Sequence, residues 1–453
     1  MKRRVLSAAL ALAAVLLAML LPGVAAAQEG GGESVTSTIS YDDLETGEDM
    51  FAEGVAVTVT DENGEVVGEA TTDAEGTFVV ELPGPGVYDV GIDPDTLPAG
   101  VVLRNPDRNP ASVTVEAGQQ SRTIFSTAPG DGGGVAVVDS GGTSFRQVAQ
   151  LTVEGLKLGL FIAMMAIGLS LIFGTTGLVN FSHGEMVGWG MLIAYLFNFY
   201  GLAGLFGFME GWPPPFGSGV NLVIATLFAI AAGAGLGWSF DKFIFGPLRR
   251  RGAGLIAQMV VTIGISLVLR YMFLFGFGGT PRFFKDYTAQ SAMQIGMVEI
   301  TPKDLIAGTL SVIVLVGVGL FLMFTRMGKA MRAVADNRDL SESSGIDVQR
   351  VIRFVWTLGG SLAALGGVFL GLSEQVSWNI GFRTLLLVFA GVILGGLGTA
   401  FGALVGSVIV GVGIQVSTLF IPTELKNVGA LVVLILVLIV RPQGILGTKE
   451  RVG

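Results

Sequence analysis

The chain has 453 residues, no cysteine and a single histidine; 51% of it is hydrophobic and 14% charged, against about a quarter charged in a soluble globular domain. The missing cysteines exclude disulfides, thiol catalysis, Cys-ligated metal and a lipidated-cysteine anchor, and one histidine excludes an H-E-x-x-H zinc site. The net charge of −9 excludes a basic nucleic-acid footprint.

Charge and hydropathy both divide the chain near residue 150. Residues 28–149 carry 22 acidic and 4 basic side chains, whereas residues 150–453 carry 14 acidic and 20 basic. Lys2-Arg3-Arg4, the apolar run Val5 to Leu21 and Ala25-Ala26-Ala27-Gln28 read as a secretory signal peptide, residues 1–27. An uncleaved anchor is the other reading of the same run, and either one exports residues 28–149. Residues 28–50 are rich in Gly, Ser, Thr and acids without a period, which predicts a flexible lead-in.

Residues 51–127 alternate. Val55, Val57 and Val59 share one side, with Ala56, Thr58 and Thr60 on the other; Asn63-Gly64 supplies a two-residue turn. Val66-Val67, Thr77 to Val80, Val87 to Ile92, Val113/Val115 and Ile124-Phe125 continue the pattern between Gly, Pro and Asp turns. The expectation is a small extracytoplasmic antiparallel β-sandwich, and Gly54 to Phe78 resembles the carboxypeptidase-regulatory or Cna-B type of surface module. Residues 128–149, with Gly130, Gly132, Gly133 and Gly134, read as the linker.

From 150 onward, apolar segments lie near 151–173, 184–203, 220–245, 254–277, 303–325, 351–372, 384–397, 401–420 and 428–440. Most are long enough for a ~30 Å hydrocarbon core. The stretch 384–397 is short and glycine-rich, as in a re-entrant segment. The fold class expected is therefore an all-α polytopic membrane protein of eight or nine segments behind an all-β domain. With that domain outside, nine crossings put Arg249-Arg250-Arg251, the cluster from Arg326 to Arg350, and Arg441, Lys449 and Arg451 all in the cytoplasm. Residues 448–453 are then a cytoplasmic tail.

Three motifs interrupt the apolar pattern. In Gly174 to Glu185, Asn180, Ser182, His183 and Glu185 separate two apolar segments. Either the break lies at membrane depth and lines a polar path, or it is a cytoplasmic turn in which His183 and Glu185 cap helices. Arg326 to Asp347 is basic and amphipathic, with Ala330, Ala333 and Val334 on one helical face and Gly345 as its stop; it suits a partner's groove or an anionic lipid surface. Gly391 to Ala403, with Gly395, Gly396, Gly398 and Gly402, suits close helix packing, and Arg441 to Gly447 lies beyond it. Arg270 has two readings: a buried pore-side charge, or a side chain snorkelling to the outer interface, which its long stem favours.

G-L-V-N-F-S-H-G-E resembles the N-F-A-H-G-E signature of branched-chain amino acid ABC permeases, with Ser182 for the usual Ala. R-M-G-K-A-M-R-A-V-A-D-N…G-I-D is similar to the family's coupling loop, and I-L-G-G-L-G-T-A-F-G-A and R-P-Q-G-I-L-G match its other recurring forms. The resemblance covers about 151–447 and leaves the β-domain outside. It implies a permease domain over 150–447 in a prokaryotic plasma membrane, with ATP bound by partner subunits and no cofactor of its own. It implies Asn180, Ser182, His183 and Glu185 as translocation-path residues. Arg332, Ala333, Asp336, Asn337, Gly345 and Ile346 become the loop seated on the ATPases. The partners implied are a second permease subunit, two ATPase subunits, an extracytoplasmic binding protein and membrane lipid. Related urea and short-amide permeases share the first motif, so those substrates stay open, as does an ATPase-free channel. The chain lacks a P-loop, since Ala330 follows Gly328-Lys329 and Met323 stands at the first glycine position.

Overall fold

Alternation is realised in the β-rich part of the chain. Strand β4 (Ala56–Asp61) buries Val57 and Val59, with Val55 just ahead of it, and turns Ala56, Thr58 and Thr60 outward. Gly64, at φ +81°, closes the turn into β5 (Val66–Thr71). With β7 (Gly86–Ile92) and β9 (Ala111–Val115) these strands form an antiparallel sheet in the order β5-β4-β7-β9. A second sheet, β10-β1-β6, joins β1 (Ser34–Thr38), β6 (Thr77–Glu81) and β10 (Gln120–Arg122), and two short pairs join β2 (Ser40–Asp42) with β3 (Asp49–Phe51) and β8 (Val101–Leu103) with β11 (Thr127–Pro129). Val35, Ile39, Val59, Phe78, Val90 and Phe125 belong to one core cluster.

The computed structural model describes, apart from short internal stretches, residues 34–42, 49–129, 145–204 and 218–420, with single positions at 214 and between 432 and 446. The signal region, the segment 130–144, the ninth apolar segment and the tail lie outside the described residues. The described residues form two compact units, one of residues before 143 and one from 145 onward.

Two expectations for the first unit are corrected. Ser34–Thr38, placed in a flexible lead-in, is a paired strand, because Val35 and Ile39 fall inward and the Ser37 hydroxyl donates to the Thr123 carbonyl at 2.5 Å. The pairing is not purely antiparallel either: β1 runs parallel to β10.

The second unit is helical. Its helices are α1 (Phe145–Thr176), α2 (His183–Phe199), α3 (Leu222–Ser239), α4 (Gly246–Arg250), α5 (Leu255–Phe277), α6 (Pro302–Phe324), α7 (Arg326–Asp336), α8 (Arg338–Ser343), α9 (Val348–Ser373), α10 (Ile380–Gly395) and α11 (Ala400–Ser417). A π-helical turn, Phe240–Phe245, joins α3 to α4. Among the described residues, six helices are long and apolar enough to cross a membrane. The 16 residues of α10 rise only about 24 Å. Helix α1 starts five residues before the expected boundary at 150.

Burial sorts the helices. Most of α2 and the inner stretches of α1 and α9 are enclosed. By contrast α5 and α6 expose Ile256, Val260, Phe275, Ile313 and Phe324, a surface that lipid tails solvate as well as protein does. Without a hydrophobic drive between such helices, close approach supplies the packing. Gly168 of α1 meets Gly359 of α9, and Gly155 and Gly159 of α1 meet α11. A Cβ on Gly159 would stand 2.7 Å from Val408 Cα. Gly159→Val is expected to cost about 1–3 kcal/mol through overpacking and to lower the thermal midpoint of the detergent-solubilised protein. Gly264→Ala, whose Cβ meets nothing within 4 Å, is expected to leave the midpoint in place.

Candidate functional site

The first motif starts where α1 stops. Gly177, at φ +69°, takes the chain out of the helix, and its N–H donates to Phe173. The chain then doubles back along α1. His183 Nε2 lies 2.9 Å from the Met165 carbonyl oxygen, eleven residues and about 16 Å up the helix. A carbonyl only accepts, so Nε2 carries the proton and Nδ1 is left as a buried acceptor without a partner among the described residues. Asn180, Ser182, His183 and Glu185 are all enclosed, none exposed by more than 1%.

This geometry removes the helix-capping role read for His183 and Glu185. The break opens beside the end of α1 and returns into the bundle, and neither titratable residue caps a helix. Ser182 holds the N-cap position of α2, but its side chain makes no capping bond to the helix. Its N–H and hydroxyl both donate to Asn180 Oδ1, at 3.1 and 2.7 Å, in an Asx-type turn. The Phe181 N–H donates to Thr262 Oγ1 on α5 at 3.2 Å, and the Phe181 ring packs against Phe389 of α10.

Glu185 faces α5. Its Oε1 accepts from Ser266 Oγ and from Arg270 Nε and Nη2, each at 3.1 Å. The Arg270 guanidinium lies 3.6 Å over the Phe382 ring in cation–π contact. The snorkelling reading of Arg270 is thus overturned: a buried carboxylate one side chain away is a better partner than the distant interface. Sequence spacing did not reveal the pairing, although Gln258, Thr262, Ser266 and Arg270 recur every fourth residue on one face of an otherwise apolar helix, and that polar stripe was the available signal. A second buried cluster lies at the π-turn, where Arg249 pairs with Asp241, and Arg353 Nε stands 3.5 Å from the same carboxylate. Arg249 is therefore not a free surface charge like its neighbours.

The other two motifs converge on the first. Helix α7 is capped by Thr325, whose side chain accepts from Gly328 N–H at 3.0 Å, and it buries Gly328, Met331 and Val334, with Ala330 and Ala333 half-buried. The expected single helix ending at Gly345 is two. Asn337, extended at φ −156°, breaks it and caps α8 by accepting from Leu340 N–H. Gly345 has φ +84° and Ile346 packs against the helical core. Arg332, Ala333 and Asp336 line a cavity of about 470 Å³ with Gly174, Gly398 and Phe401. A Cβ on Gly174 would lie 2.9 Å from the Gly398 carbonyl and 3.6 Å from Ala335 Cβ.

The glycine motif is a joint. Gly395 and Gly402 meet backbone to backbone across the α10–α11 turn, and Gly396 and Gly398 have φ +114° and +81°. The N–H groups of Ile445 and Leu446 cap the α10 carbonyls of Leu394 and Gly395, at 2.8 and 2.9 Å, so this dipeptide closes on I-L-G-G. Glu374 and Asn379 line a separate cavity of about 370 Å³ with Trp378 and Arg383.

Apolar helices around a buried, charged break define the second unit as part of a multi-pass membrane protein with a polar interior. Residues 151–439 match the model of the branched-chain amino acid transport system permease component. The high-affinity branched-chain amino acid transport system permease protein LivH of Escherichia coli K12 is 30% identical over 315 residues, 68% of this chain and 97% of that protein. BraD of Pseudomonas aeruginosa, of the same description, is 28% identical over 309 residues, 66% of this chain and 96% of that one. A probable branched-chain amino acid transport permease protein of Methanocaldococcus jannaschii is 27% identical over 304 residues, 64% and 90% respectively. The chain belongs to the permease-component family of branched-chain amino acid transport systems.

Arg270→Leu strands the Glu185 carboxylate in the bundle and is expected to cost about 3–5 kcal/mol, whereas Glu185→Leu with Arg270→Leu is expected to restore most of it. Thermal unfolding of the three proteins in one detergent reads both effects.

Proposed function

We propose that this chain is the permease subunit of an ATP-driven importer of branched-chain amino acids. The chain is non-catalytic and carries no cofactor. Two partner subunits bind and hydrolyse ATP, a second permease subunit completes the pathway, and a binding protein delivers substrate from outside. The β-rich unit lies on that outer side, and the α7–α8 segment lies in the cytoplasm against the ATPases.

The observation that carries this reading is the convergence at Gly174, Gly398 and the α7 segment. Gly174 opens the path motif, Gly398 sits in the α10–α11 joint, and Ala335 touches the space between them. A push on α7 by closing ATPases therefore acts directly on the backbone that leads to Asn180, Ser182, His183 and Glu185. Exposed Arg332, Asp336 and Asn337 and the left-handed Gly345 present the partner side.

ATP-dependent uptake of labelled leucine and of urea, in vesicles holding this chain with its partners, tests the reading. Leucine uptake that needs ATP supports it. Urea uptake instead moves the substrate and keeps the mechanism, and flux without ATP makes the protein a channel. Gly345→Pro forces φ to about −65° where the chain needs +84°. It is expected to lower leucine uptake at least tenfold with membrane levels unchanged; normal uptake would count against the coupling role.

A further inference from the structure

The Glu185–Arg270 pair leaves bonding capacity unused. Arg270 places both of its bonds to the carboxylate on Oε1, and Ser266, which also accepts from Arg270 Nη2 at 3.3 Å, adds a third to the same atom. Glu185 Oε2 is buried and has no partner among the described residues. A pair built only to hold two helices gains most from the fork-to-fork arrangement that engages both oxygens. One turn further along α2, on the same face, Trp189 Nε1 is also buried without a partner among the described residues. An orphaned acceptor and an orphaned donor thus share the face of α2 that packs on α5. Buried polar groups are otherwise almost always satisfied.

We infer that Glu185 and Arg270 are the membrane-embedded recognition site for the two backbone charges of an α-amino acid. The inference rests on the reading of this chain as an importer subunit. The Glu185 carboxylate takes the substrate ammonium, with Oε2 as its first acceptor. The Arg270 guanidinium takes the substrate carboxylate, with the Trp189 indole N–H as a further donor. The resting ion pair opens as the zwitterion's charges replace those of its own partners. Such an exchange never leaves a bare charge in the apolar interior, which is the costly state. The rings of Phe382, under Arg270, and Phe273, beside Trp189, offer apolar surface for an aliphatic side chain. Urea or a short amide has no charges to exchange, so this pair selects the zwitterionic class.

Two experiments on the whole complex in proteoliposomes test this. Glu185→Gln with Arg270→Gln removes both charges and keeps hydrogen-bonding groups in their places. Leucine uptake is expected to fall at least tenfold, while the thermal midpoint and ATP hydrolysis of the complex are kept. Uptake at the wild-type rate would make the pair structural and overturn the inference. The chain has no cysteine, so in Ser266→Cys a thiol reagent reads one position of this subunit. Leucine is expected to slow labelling at least threefold, and 4-methylpentanoate, which lacks the ammonium, is expected to leave it unchanged. Equal labelling with and without leucine, in complexes that transport leucine, overturns the inference alone. A wild-type complex that takes up no leucine overturns the transport reading beneath it.

Discussion

Backbone polar groups inside an apolar bundle must find partners within the protein, and the break between α1 and α2 is where that demand is hardest to meet. Leu178 N–H donates to Thr176 Oγ1, Phe181 N–H to Thr262 Oγ1, Ser182 N–H to Asn180 Oδ1 and His183 N–H to the Asn180 carbonyl. Non-helical chain survives inside the bundle because these donors are answered. The break in turn requires polar residues on α5, and it starts α2 beside the middle of α1. Glu185 is buried because α2 begins there, and Arg270 turns inward because Glu185 is buried.

A second constraint is close approach. Gly184 and Gly381 bring α2 and α10 together one residue from Glu185, and Gly168 and Gly359 do the same for α1 and α9 beside His183. Backbones in such contact have few intermediate positions. Displacement at Gly174 or Gly398 would therefore move whole helices rather than single side chains. The three motifs converge where Gly174, Gly398 and Ala335 stand in near contact.

Glu185, buried at 1% exposure, is held by an arginine 85 residues away. Its environment is partly charged and partly aromatic, with Ser266 on one side and Phe382 below the guanidinium. That combination keeps an ion pair enclosed between apolar helices, where an unpaired charge is strongly disfavoured. Asp241 with Arg249 and Arg353 repeats the principle at the π-turn, where α3 and α4 meet the start of α9. Both clusters tie neighbouring helices together.

By itself the sequence determined the helical segments, the alternation of β4 and the three motifs, because periodicity, hydropathy and glycine placement are local properties. Val57 and Val59 point inward as their spacing requires, and the expected short segment near 384–397 is a 16-residue helix that starts four residues earlier. The paired strand Ser34–Thr38 was not legible: two inward apolar residues among serines and threonines carry little local signal, and its partners lie more than 35 residues away. Nor was the second helix begun by Asn337, whose cap role depends on backbone angles. Which charge meets which was decided only by the tertiary structure. Arg270 read alone has a long stem that favours the interface, and Arg249 read alone is one of three surface arginines. Only the folding of α5 against α2, and of α4 against the π-turn, supplies the buried carboxylates that draw them in.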